Sequence, residues 1–166
     1  MNRASNKLIF RCAAFLMATS MASAAFSQAV APQNDPLIGT WQLNLSKSKY
    51  SPGPAPQGST MHYEAAGEGF RDTVTGIDAQ GRPTTSVFMM IYDGQFRPTT
   101  GVTGYDASAF TRIDDYTILY VRTLRGRVVA SGTRVMSRDG KSLTFTGIGL
   151  NANGQRYDNV VVMEKQ

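Results

Sequence analysis

The chain has 166 residues and one cysteine, so it is the size of a single domain and must rest on its hydrophobic core rather than on disulfides. Its 17 Lys and Arg outnumber 12 Asp and Glu, for +5 at pH 7. Arg3, Lys7 and Arg11 fall in an acid-free leader, and without them the net charge is +2, poor grounds for nucleic-acid binding. A lone histidine, His62, and a lone cysteine in the leader argue against a transition-metal site, which takes several such ligands.

The leader comes first. Positive residues, a short apolar core over Cys12–Ala18 and the small residues Ala22-Ser23-Ala24 are the three parts of a secretory signal. Residues 1–24 are read as that signal, with cleavage as late as residue 29, so the mature chain starts at Ala25 or Val30. The core is too short to span a membrane, which takes roughly 20 apolar residues. Phe10-Arg11 before Cys12 do not suit lipidation. A periplasmic or secreted protein with no lipid anchor is expected, with residues 25–36 as a short leading segment and 37–166 as the folded domain.

Gly39-Thr40-Trp41 opens the first strand, and Pro52, Pro54 and Pro56 stiffen the loop that follows at 46–58. Short β-prone runs then alternate with turn signals. Ser59–Glu64 stops at Gly67-Glu68-Gly69, and Phe70–Ile77 at Asp78-Ala79-Gln80-Gly81. Thr84–Tyr92, the most apolar run, stops at Asp93-Gly94. A looser stretch from Pro98 to Tyr105 precedes Ala107–Ile113, which breaks at Asp114-Asp115. Tyr116–Leu124 turns at Arg125-Gly126, Arg127–Ser137 at Arg138-Asp139-Gly140-Lys141, and Ser142–Leu150 at Asn151-Ala152-Asn153-Gly154. Arg156–Lys165 closes the chain. Glycine, and to a lesser degree Asn and Asp, accept the positive φ of tight hairpins.

Alternation along Tyr116–Leu124 puts Ile118, Tyr120 and Arg122 on one face and Leu119 and Val121 on the other. In the closing strand Tyr157, Val161 and Met163 share a face. No window after the leader carries an apolar stripe of helical period. Turns this short join antiparallel neighbours only, because a parallel crossover takes a dozen or more residues. The fold class is therefore all-β, an antiparallel up-and-down meander of eight to ten strands, and closing into a barrel is the simplest protection for its edges.

Gly39-Thr40-Trp41 at the head of such a meander resembles the G-x-W signature of lipocalin and calycin barrels. The close, Val161-Val162-Met163-Glu164-Lys165, is similar to the last strand of the fatty-acid-binding barrels. The layout as a whole resembles small exported bacterial lipocalin-like proteins, in the Ser46-Lys47-Ser48-Lys49-Tyr50 and Ser51-Pro52-Gly53-Pro54-Ala55-Pro56 loop and in Ser137–Thr144. The resemblance implies a lipocalin-like barrel in which Trp41 plugs one end and a late-strand arginine packs over it, with Arg134 and Arg156 both candidates. Independently, the only tryptophan, on the first strand, reads as a buried anchor.

Catalytic chemistry is thin. His62 has no nucleophile elbow to serve, and Asp114-Asp115 are neighbours that point to different sides, better read as turn caps. Gly101-Val102-Thr103-Gly104 lacks the helix that would make it a phosphate cradle. Arg122, Arg125 and Arg127 flank one hairpin, and solubilising charge accounts for such a cluster. Arg122 differs, since an inward arginine in an apolar barrel must find an anionic or hydrogen-bonding partner.

The leading reading is a monomeric binding module for a small apolar ligand with an acidic head group. Tyr63, Phe88, Met90, Tyr120, Arg122, Phe145 and Tyr157 are its candidate lining residues, and a core filled by side chains alone is the other form such a barrel takes. No cofactor, metal, catalytic residue or nucleic-acid partner is expected. The second reading is a structural or inhibitory protein that meets a protein partner through the 46–58 loop. The third is a barrel isomerase or cyclase, for which no residue is nominated.

Overall fold

The computed structural model describes residues 35–166; the leader, Cys12 and the expected cleavage positions lie outside them. Ten strands follow in chain order: β1 Gly39–Leu43, β2 Gly58–Ala66, β3 Gly69–Ile77, β4 Pro83–Met90, β5 Arg97–Pro98, β6 Ala107–Arg112, β7 Thr117–Leu124, β8 Arg127–Met136, β9 Ser142–Leu150 and β10 Arg156–Lys165. Apart from one 3-10 turn, Leu45–Lys47, no helix occurs among the described residues. The strands form one antiparallel sheet in the order β4-β3-β2-β1-β10-β9-β8-β7-β6-β5. First and last strands thus lie side by side, Trp41 opposite Lys165 and Leu43 opposite Met163.

A sheet in that order has two free edges, at β4 and at β5, and the chain brings them together. Val87 and Thr100 exchange backbone hydrogen bonds of 3.2 and 3.4 Å, and the Gly94 amide donates to the Phe110 carbonyl at 2.9 Å. The seam needs Gly101, whose φ is +76° and whose α-carbon lies so near the Thr85 carbonyl that no side chain fits between them. The meander is therefore a nearly closed barrel, and the edges that would template aggregation are covered.

Hairpin chemistry sets the alternation of ends. Gly67, Gly81, Gly126, Gly140 and Gly154 all sit at positive φ in their turns. Arg125 (φ 51°) shares the left-handed conformation with Gly126, and its amide donates to Asp106 Oδ2 at 2.7 Å. One irregularity matters for function. The β7–β8 register shifts between Arg122 and Thr123. Up to Arg122 the even-numbered residues point inward, whereas beyond the bulge Thr123 is buried and Leu124 is exposed.

The two ends of the barrel differ. One is packed solid by Leu37, Trp41, Phe70, Met90, Leu143 and Met163. Trp41 is fully buried there, and its indole N–H donates to the Leu37 carbonyl at 2.8 Å, so the ring's only polar group is satisfied. The cation over its ring is Lys165, at 5.2 Å from the centroid, which also donates to the Pro36 carbonyl at 2.6 Å. Neither arginine implied by the resemblance holds that place. The strand facing Trp41 is β10, which ends in a lysine, while Arg134 is drawn into the interior by a carboxylate. The 46–58 loop is not a free arm either. Lys49 pairs with Val160 in both directions (2.6 and 2.9 Å), and the Ser51 amide donates to Asn159 Oδ1 at 3.0 Å, so the loop's first half runs on along β10.

Candidate binding cavity

Between the packed end and the opposite mouth lies a cavity of about 610 Å³, within the range of small-molecule sites. Its floor is Phe145 and Met163, its walls carry Tyr105, Tyr120, Arg122 and Tyr157, and Tyr50 with Pro52, Pro54 and Pro56 leans over the mouth. The prolines fix the backbone of this rim before anything binds, which lowers the ordering cost.

Two arginines enter the interior, in opposite circumstances. Arg134 on β8 is wholly buried beneath the cavity. Its Nη1 donates to the Tyr63 hydroxyl at 2.6 Å and to Asp72 Oδ2 at 3.0 Å, and it touches Met90 Sδ. Phe110 and Phe145 offer their ring faces at 5.0 and 4.9 Å. Burial works against the charge, but Tyr63 and Asp72 outweigh it and raise the Arg134 pKa, so the guanidinium stays protonated. Burial pushes the Asp72 carboxyl up, with Arg134 opposing by charge and hydrogen bond. The pair is a structural ion pair under the cavity floor.

Arg122 on β7 has no such partner. It is half-buried, its guanidinium lies over Tyr105 at 4.4 Å and Tyr120 at 4.7 Å, and Phe88 is 6.0 Å away. Among the described residues no carboxylate pairs with it, and its buried Nε has no hydrogen-bond partner. A half-buried cation stacked on rings and facing a cavity can receive an anion. The tyrosines beside it keep their protons. Burial pushes Tyr50 up to about 12 and raises Tyr105 and Tyr120 as well, the latter two against the pull of Arg122. They face the cavity as neutral phenols.

The seven residues singled out from sequence divide accordingly. Tyr120, Arg122, Phe145 and Tyr157 line the cavity. Tyr63, Phe88 and Met90 do not. Tyr63 and Met90 are fully buried around Arg134, and Phe88 backs Tyr105 in a stacked pair at 6.4 Å. Tyr50, Met61 and Tyr105 also line the cavity, and sequence reasoning passed over them. Tyr50 and Tyr105 lie in loops, where alternation gives no side to count from. Arg125 and Arg127 are exposed at the hairpin tip, so the basic cluster splits and only Arg122 turns inward. His62 is exposed, 3.1 Å from the Thr40 hydroxyl. Asp114 accepts from the Tyr116 amide at 2.8 Å and caps its turn.

No family model matches the chain, and neither does any curated protein. Among solved structures, the chain is similar to the zebrafish ileal bile acid-binding protein in complex with cholic acid. The two are 14% identical with a TM-score of 0.47, over 79% of this chain and 99% of that one.

Proposed function

We propose that this protein is exported and that its barrel holds a small, mainly apolar molecule by its acidic head group, with Arg122 as the residue that meets the acid. The observation that carries the reading is Arg122 itself, a guanidinium with no ion-pair partner among the described residues, on the wall of a cavity that also carries Tyr105, Tyr120, Phe145 and Tyr157. Tyr120, Phe145 and Tyr157 cover the apolar part of the ligand, and the phenols of Tyr50 and Tyr105 donate hydrogen bonds at its polar end. The leader supports export and the absence of a suitable cysteine context supports an unlipidated chain. The test is calorimetry with undecanoate and its methyl ester. The acid should bind at least about tenfold more tightly, and Arg122→Leu should erase the difference without unfolding the protein. Equal binding of acid and ester sinks the reading. Mass analysis of the protein exported from cells should find a chain starting at Ala25 or Val30 with no diacylglycerol, and an intact Met1 would refute export.

A further inference from the structure

The acid at Arg122 fixes one end of the ligand, and a second hollow outside the barrel bears on the other end. It is an open groove of about 690 Å³ across the mouth-side ends of β8, β9 and β10. Val128, Val129, Ile148 and Leu150 line it, with Arg156 and Asp158 on its β10 side. Leu143 and Phe145 of β9 face the interior, so the alternate residues face out. Those outward residues change from Thr144 and Thr146 to Ile148 and Leu150 as the strand nears the mouth. Val128 is 66% exposed, Ile148 59% and Leu150 41%, so none of the described residues covers them. Single apolar residues on a surface are ordinary, whereas several gathered in one groove with a polar rim mark a contact. Ser51, Pro52, Leu150 and Tyr157 line both the groove and the cavity, which places the two hollows side by side at the lip of the mouth.

The solid end of the barrel gives the groove a use. Beneath Phe145 and Met163 the interior is filled by the Arg134–Asp72 pair, Tyr63 and Met90, all buried. A chain that outgrows the cavity cannot pass that way and has to leave by the mouth. Resting on the acid reading, we propose that the outer groove is a second subsite, which holds the distal methylenes of a single-chain acid too long for the cavity. The chain crosses the lip at Pro52 and Leu150 and lies against Val128 and Ile148. A methylene fully withdrawn from water gains about fourfold in affinity, and one left wet on one side about twofold.

The experiment is calorimetry on the mature protein with undecanoate and hexadecanoate below their critical micelle concentrations, and methyl undecanoate as the neutral control. Five further methylenes at about twofold each should make hexadecanoate about thirtyfold tighter than undecanoate. Ile148→Asp should remove most of that gain and leave undecanoate binding unchanged. Val135→Asp, at an exposed position of β8 outside the groove, should retain the gain. Where Ile148→Asp is unfolded at the assay temperature, Val128→Asp takes its place with the same expectation. Hexadecanoate no tighter than undecanoate, with undecanoate ahead of its ester, overturns the groove inference and leaves the acid reading standing. A gain that survives the aspartate in the groove also overturns it, because the whole chain then coils inside the cavity. A dimer in sedimentation that Ile148→Asp dissociates would put a second copy in the groove and overturn it too. Undecanoate no better than its ester overturns both readings.

Discussion

At the scale of single residues, the interior is governed by two arginines that differ in what they face. Arg134 has Asp72 and the Tyr63 hydroxyl, and removing one member of a buried pair leaves the other uncompensated. Arg134→Met should cost about 3–5 kcal/mol in urea denaturation, and adding Asp72→Asn should recover part of that loss. Arg122→Leu should leave the urea midpoint unchanged or raise it, because the cation it removes has no partner to orphan. The tyrosines add a pH dependence of definite sign. Burial raises Tyr50 and Tyr92 from 10.0 to about 12, and raises Tyr63, Tyr105 and Tyr120 too. An acid whose pKa is higher in the folded chain binds its proton more tightly there. The stability this brings is complete below the unfolded value of 10.0 and is lost as the pH rises from there toward about 12. The urea midpoint should fall across that window, in step with phenolate absorbance. A midpoint that stays level while the phenolates form would mean the rings titrate from an open barrel.

At the scale of elements, turn chemistry made the strands legible, and long-range pairing did not show. Arg125-Gly126, Arg138-Asp139-Gly140-Lys141 and Asn151-Ala152-Asn153-Gly154 place three hairpins to within a residue, because each turn needs a positive φ that few residues tolerate. Alternation places Arg122 with Ile118 and Tyr120, and that face is the interior. The bulge after Arg122 is invisible to alternation, since it depends on how β7 and β8 slide past each other. The facing of Gly132 and Gly147 beneath the Tyr120 ring is equally hidden, since it exists only once two strands are set in register. The seam between β4 and β5 was hidden for the same reason, although Gly101, its key residue, stands out in sequence as part of a loose Gly-rich stretch. Gly101→Val combines a positive φ with a collision at Thr85, and should cost at least about 1 kcal/mol. Hydrogen exchange should show the loss locally, with the Val87 amide, which donates across the seam, exchanging faster than amides of β9. Uniform acceleration along every strand would mean that the seam and the barrel open as one unit.

At the scale of the whole molecule, the meander could be read from the chain because the hairpin connections after β2 carry clear turn signals, but which strands close the ring is a property of the fold alone. The closure falls on β10. It pairs with β9 along its full length, with β1 at its end, and with the 44–51 segment in between. Its side chains serve both halves of the barrel: Met163 is fully buried at the cavity floor, Tyr157 lines the wall, and Lys165 lies over Trp41. Ending the chain before Tyr157 would therefore strip the packed end of Met163 and Lys165 and leave β1 and β9 as open edges at once. The strands that remain have no other way to cover Trp41 and Leu143. The truncated chain should show no cooperative transition in urea, its Trp fluorescence should shift to the red from the outset, and it should aggregate at concentrations where the parent stays dispersed. A truncated chain that melts cooperatively with its Trp emission still blue would show that β1 and β9 can join directly, and that β10 serves the cavity rather than the fold.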